Sequence, residues 1–486
     1  MNGSPSSTAS QGSPVASVLP GELSASIDAS CRVLLLPIVG ALGWALLSSL
    51  LALLTSVKLH SPTVIANCSW LTYGHTRPAA NDAFVYGFAS QAGVALALWM
   101  LCRLGRTTLV GALPVAIASL FWNVGVAIGL VGIFTGHSTG FEWLEFPVAG
   151  STALIASYCV FGVCALLTFK ARRHAELYPS QWYILAALFW FPWLYTTARL
   201  LLVSFPVRGV TQLAISGWFA NGLFTLWLGS LALAVLFYFI PKIAGAPLYS
   251  RSLAVLGFWT LAVFGTWAGF YRGLPLPAWM ISVGVGATII LLVPLLATVL
   301  NLWFTLGAAA NPKAPLLGFF KTSVVFFAIA GVFGMAAAFV PELRLTLFGE
   351  AVEQLALYGF VGLSLFGAIH YLVPRLTGVS GDKCGKVIAV NCWGTFLGIL
   401  IYFVAFALGG YTQHKKLVDG SVPFLDVMNV TKPFIRISTL GLLLLVVGNA
   451  AIFLRVLGLI RLACRQCCSS CVGEKSVKLK PAEATR

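Results

Sequence analysis

Apolar residues in this chain neither alternate with polar ones nor recur only every third or fourth position; they continue in unbroken runs of about twenty. Twelve such runs lie near residues 32–57, 82–102, 109–133, 146–169, 182–204, 212–240, 252–271, 277–304, 318–340, 349–371, 386–409 and 433–460. A helix of about 20 residues crosses the roughly 30 Å hydrocarbon core of a bilayer. A membrane barrel would instead need strands whose lipid-facing and lumen-facing positions alternate. The pattern predicts an all-α fold, a polytopic membrane bundle of about twelve transmembrane helices.

Composition strengthens this reading. Of the 486 residues 59% are hydrophobic and only 9% charged, and mean hydropathy is +0.92, outside the range of soluble domains. The net charge of +16 would suggest nucleic acid only if it formed a basic face on a soluble surface. Here the basic residues sit between spans, so no nucleic-acid partner is expected. Arg103 and Arg106 follow span two, Lys170, Arg172 and Arg173 span four, Lys242 and Arg251 span six, and Lys383 and Lys386 span ten. Positive charge in alternate loops predicts that those loops, and both termini, are cytoplasmic, in the inner (plasma) membrane of a cell. The loop with Glu142 and Glu145 lacks Lys and Arg, as an outside loop does, whereas Lys415 and Lys416 run against the pattern.

The chain divides into a Ser/Pro/Ala/Gly-rich tail, 1–30, read as disordered; a membrane domain, 31–461; and a basic, Cys-rich cytoplasmic tail, 462–486. The first segment lacks the basic start and long apolar run of a signal peptide. In the last, Cys464, Cys467, Cys468 and Cys471 share one face of a helix leaving the membrane. Four ligands so close on one straight helix do not readily enclose a tetrahedral metal, and lipidation or no role at all are the other readings.

Chemistry enters at the helix ends. Span six closes on Phe237-Tyr238-Phe239-Ile240-Pro241-Lys242 and is followed by Pro247-Leu248-Tyr249-Ser250; span seven holds Phe258-Trp259 and Trp267-Ala268-Gly269; span ten closes on Tyr371-Leu372-Val373-Pro374-Arg375-Leu376. In this order and spacing the strings resemble the central subunit of the C-type, or cbb-type, haem-copper oxidases, bacterial terminal oxidases of twelve spans. The resemblance takes in Asn123, Lys170 to Trp182 and Pro423 to Arg436, and covers about residues 30–460. It implies a cytochrome c oxidase scaffold that would bind two haems and one copper through six histidines and reduce dioxygen.

The residues at those six positions depart from the family. The place of one low-spin haem ligand, two residues after Arg77-Pro78, holds Ala80. The first copper-ligand place, twenty residues before the Pro-Lys pair of span six, holds Asn221, and the other two, after Trp267, hold Tyr271 and Arg272. In span ten the high-spin and low-spin haem places hold Val352 and Gln354, and the place of the family's cross-linked tyrosine holds Gly265. The chain's histidines, His60, His75, His137, His174, His370 and His414, stand elsewhere. His370 reads as a satisfied interfacial histidine near the cytoplasmic face. No haem or copper is therefore expected, and no catalytic residue is assigned.

Three readings of function remain open: a non-catalytic paralogue that docks cytochrome or other respiratory-complex subunits in the lipid bilayer; an active oxidase with unconventional ligands; and a secondary transporter. Asn123, Arg199, Asn221, Arg272, Glu353 and Gln354 lie in apolar spans or near their ends, where polar groups are functional candidates or interhelical hydrogen-bond partners. The sequence suggests that Arg272, Glu353, Gln354 and Asn221 form a polar cluster in place of the metals, with Arg272 snorkelling to the interface as the alternative.

Overall fold

The computed structural model describes residues 21–270, 273–312, 314–379 and 385–477, with side chains described to Gln466. All regular structure among them is helical. In chain order the helices are α1 Gly21–His60, α2 Tyr73–Gly105, α3 Ala112–Phe134, α4 Val148–Lys170, α5 Pro179–Ser204, α6 Val210–Ala244, α7 Arg251–Phe264, α8 Ala278–Gly307, α9 Pro315–Phe339, α10 Leu347–Thr377, α11 Gly385–Val418 and α12 Phe424–Val477. Eleven are long and apolar enough to cross a membrane.

The exception is α7. The apolar run 252–271 predicts a full span, but the helix has 14 residues and stops at Phe264. At about 1.5 Å rise per residue it covers only ~21 Å, short of a hydrocarbon core. Gly265 and Gly269 explain the break. Gly269 takes φ +113, and a Cβ there would meet the Asn221 Cβ at 2.8 Å, while Asn221 Nδ2 donates to the Gly265 carbonyl at 2.8 Å. Only glycine accepts both that backbone angle and that approach.

Three helices form the centre. The most apolar windows of α2, α6 and α10 are 100, 83 and 89% buried, and no other long span exceeds 50%. These three begin at residues 73, 210 and 347, equally spaced along the chain. Each also carries a π-helical stretch, Ala83–Ala89, Leu223–Leu228 and Leu355–Gly362, a feature that recurs at functional sites because it re-aims the side chains beside it. Around them α3 packs on α4, α7 on α8, and α12 on both α1 and α11. The α11–α12 contact is close because glycines face one another: a Cβ on Gly398 would lie 2.7 Å from the Gly441 carbonyl oxygen. Small residues of this kind let membrane helices gain dispersion contact where lipid supplies no hydrophobic drive.

Residues 21–30, expected in the disordered tail, are helical and continue into α1. Ile27 is fully buried, and Asp28 accepts the Trp99 indole N–H at 3.0 Å and pairs with Arg103 and Arg375 at 3.7 and 3.6 Å. The polar composition concealed an anchor made by one apolar and one acidic side chain. Residues 1–20 lie outside the described residues. At the other terminus α12 continues to Val477; Cys464 is free and exposed, and the side chains of Cys467, Cys468 and Cys471 lie outside the described residues.

Candidate functional site

Polar side chains gather where α2 and α10 begin. Arg77 Nη2 lies 3.5 Å from Glu142 Oε1 of the α3–α4 loop and 3.5 Å from Glu350 Oε2 of α10. Tyr402 of α11 donates its hydroxyl to Glu350 Oε1 at 3.2 Å. One turn along α10, Glu353 sits in the combined field of Glu142, Glu350, Arg344 and Arg77, and Gln354 Nε2 donates to Asn81 Oδ1 at 3.1 Å.

Several of these groups border a cavity of about 40 Å³ whose lining includes Arg77, Ala80, Asn81, Glu350, Gln354 and Tyr402. Ala80, itself buried, turns its carbonyl to the Ser48 hydroxyl at 2.7 Å, and Ser48 in turn accepts the Tyr358 hydroxyl at 2.9 Å. Aromatic rings bridge α2 and α10 next to the cavity: Phe84 and Tyr358 have centroids 3.9 Å apart, and Phe88 and Phe366 stack at 4.7 Å.

The expected polar cluster is only partly assembled. Glu353 and Gln354 stand beside Arg77 and Asn81. Asn221 is turned to the break after α7, with Gly265 as its acceptor and Thr225 as a donor at 3.3 Å. Val352 packs against the core opposite Gly334 of α9. Tyr271 and Arg272 lie outside the described residues. Among the described residues, Arg77 is the arginine that pairs with carboxylates at this site. It had been legible only as part of an Arg-Pro string; its two carboxylate partners, 65 and 273 residues distant, had no local signal.

Two further polar groupings are buried. Asp82 of α2 is fully inaccessible and Glu145 nearly so, and the two carboxyl groups adjoin. Burial pushes the Glu145 carboxyl up to about 8, although the backbone amides of Glu145 and Trp143 hold it down in part. Asn123, by contrast, is an interhelical hub: its Oδ1 accepts the Trp44 indole N–H at 2.7 Å and Gln91 Nε2 at 3.2 Å, while its Nδ2 donates to Gln91 Oε1 at 2.9 Å. Arg199 donates to the Phe146 carbonyl at 2.8 Å.

His370 is satisfied on both ring nitrogens, as expected: Nδ1 accepts from Arg455 Nη1 at 2.5 Å and Nε2 donates to Asn391 Oδ1 at 3.1 Å. It is buried, however, and ties α10 to α11 and α12 in place of facing an interface. His75 Nδ1 lies 3.2 Å from the Ser69 carbonyl oxygen, and His75 does not line the cavity.

Known proteins align with this architecture. A cytochrome c oxidase subunit 1 homolog of Azorhizobium caulinodans is 24% identical over 430 residues, covering 84% of this chain and 78% of its own. The cbb3-type cytochrome c oxidase subunit CcoN1 of Stutzerimonas stutzeri is 23% identical over 384 residues, 76% of this chain and 81% of its own. A haem-copper terminal oxidase dimer solved by cryo-EM superposes with a TM-score of 0.68 over 91% of this chain and 84% of that one; at 14% identity this likeness shows the fold alone. The sequence profile described as Cytochrome C and Quinol oxidase polypeptide I matches residues 32–444. A match across most of the chain, on a bundle of that fold, makes this protein a member of the cytochrome c and quinol oxidase polypeptide I family.

Proposed function

We propose that this chain is a non-catalytic member of its family: a membrane subunit that keeps the subunit I scaffold, takes part in respiratory assemblies by docking other subunits, and carries neither haem nor copper. The cavity between α2 and α10 carries the reading. Ala80 and Gln354, the two places from which a low-spin haem would be ligated, both line it. A methyl group has no lone pair, and a carboxamide is a poor substitute for imidazole toward haem iron.

The space itself argues the same way. At about 40 Å³ the cavity has room for a few waters, whereas pockets for cofactor-sized ligands run to roughly 300–1,000 Å³. The Phe84–Tyr358 pair occupies the gap between the helices, and the Arg77–Glu350–Tyr402 set closes the polar end. These residues do not fit an iron porphyrin. A shared fold does not carry chemistry to a site whose donors differ, so what the scaffold retains is its outer surface.

The positive charge of the loops after α2, α4 and α6 supports a plasma-membrane orientation with both termini in the cytoplasm. The experiment is an optical spectrum and metal analysis of protein purified in mild detergent from a haem-sufficient host, together with identification of the chains that accompany it. The expected result is no stoichiometric haem b or copper, and co-purification with membrane or cytochrome subunits. A stoichiometric reduced-minus-oxidised b-type band would overturn the cofactor part. Recovery solely as a free monomer that moves a solute would overturn the docking part.

A further inference from the structure

Asp82 and Glu145 are the most deeply enclosed carboxyl groups among the described residues. Asp82 projects from the wall of α2 with no accessible surface, and Glu145 arrives from the α3–α4 loop with 7% of its surface exposed. Their side chains meet at hydrogen-bonding reach, yet neither Asp82 Oδ1, nor Oδ2, nor Glu145 Oε2 has a donor.

The donors nearby are directed elsewhere. The Tyr86 hydroxyl is given to the Trp143 carbonyl, the Tyr195 hydroxyl to Ser151 Oγ at 3.0 Å, and Arg199 Nη1 to the Phe146 carbonyl at 2.8 Å. The ionisable groups that face the pair from the packed helices are Tyr86 of α2 and Tyr195 and Arg199 of α5, joined by Glu142 of the loop. Helix α3, which packs on α2, contributes none.

Two ionised carboxylates in contact and cut off from water repel one another, and each loses its hydration, so such a pair takes up a proton or a cation. A hard divalent cation asks for about six or more oxygen ligands. Among the described residues no set of three or more His, Cys, Asp or Glu is placed to hold a metal ion. We propose that Asp82 and Glu145 form a proton-binding site in which one proton is held between the Asp82 carboxyl group and Glu145 Oε2. Loss of that proton leaves two adjacent negative charges, one on the loop and one on α2, so the site links proton occupancy to the docking of residues 135–147 on the bundle. This site is independent of the cavity beside Ala80 and of the presence or absence of haem.

The test is infrared spectroscopy of the detergent-solubilised protein at neutral pH in water and in heavy water, on the parent and on Asp82→Asn, Glu145→Gln and the double variant. A carboxylic-acid carbonyl band that shifts on deuteration is expected in the parent. Each single variant loses it, because an amide N–H donates in the proton's place, and the double variant lacks it as well. A parent with no such band, or a single variant that keeps the band unchanged, overturns the shared proton. A parent whose thermal midpoint rises with sodium chloride but not with choline chloride, an effect absent from the double variant, assigns the site to a cation and overturns it too. Should a variant fail to fold, labelling of the parent with a hydrophobic carbodiimide, which attacks protonated carboxyls shielded from water, supplies a second readout. An adduct on the Asp82 or Glu145 peptide is expected, and its absence overturns the proposal.

Discussion

Exchanging Arg77 for leucine removes a guanidinium that joins α2, α10 and the α3–α4 loop. The Arg77–Glu350 separation of 3.5 Å corresponds to about 5 kcal/mol of attraction at an effective dielectric constant near 20. Three effects reduce it. The Arg77 side chain is 35% exposed and that of Glu350 22%, so solvent screens the pair; desolvation of both groups offsets part of the remainder; and Glu142 competes for the same nitrogen at 3.5 Å. A net coupling of about 1–2 kcal/mol is left. Arg77→Leu alone should cost more, about 2–3 kcal/mol, because it leaves the half-buried Glu350 without its ion-pair partner and with the like charge of Glu353 one turn away. Glu350→Leu alone should cost less, since it takes away one of those acids but also the acceptor of the Tyr402 hydroxyl. The assay is a double-mutant cycle on thermal or denaturant unfolding in detergent, read by near-UV circular dichroism. A coupling below about 0.3 kcal/mol, or an Arg77→Leu variant as stable as the parent, would refute the claim that this ion pair closes the cavity.

Three further outcomes follow from named contacts. Asn123→Leu removes three side-chain hydrogen bonds to Trp44 and Gln91; at about 0.6 kcal/mol each for membrane helices it should lower stability by ~2 kcal/mol, measured by the same unfolding assay. Gly129→Ala sets a Cβ 2.5 Å from the Phe146 ring, whereas Gly162→Ala meets nothing within 4 Å; the first should cost about 1–3 kcal/mol by overpacking and the second be near neutral in thermal melts. Glu145 binds its proton more tightly folded than unfolded, so its contribution is fully present below the ordinary value of 4.5 and is lost as pH rises through about 8. The thermal midpoint should therefore fall across that window in the parent, and Glu145→Gln should flatten the fall; an unchanged slope would contradict the burial argument.

What the sequence determined by itself is the class of structure and its approximate layout. Unbroken apolar runs leave a backbone in lipid no option but helix, because no water is present to satisfy its polar groups, and the observed spans lie where those runs lie. The end-of-helix strings carried the family, since each records a local need, a proline or a basic residue at a helix terminus, that survives whatever happens at the centre. Such local signals fail where a contact over long range decides. Gly265 and Gly269 allow α7 to break, but nothing near them announces that Asn221, 44 residues before Gly265, packs into that break, and nothing in the tail's polar composition announces that Asp28 finds Trp99, Arg103 and Arg375. The candidate site divides in the same way. The expectation that Ala80 and Gln354 take the place of haem ligands came from the family resemblance. That they share one small cavity, that Arg77 is the cation closing it, and that Asp82 meets Glu145 were not legible in the sequence. Those facts depend on how α2, α10, α11 and a loop converge, and pairings between charges dozens to hundreds of residues apart are set by packing geometry, which no local pattern in the chain encodes.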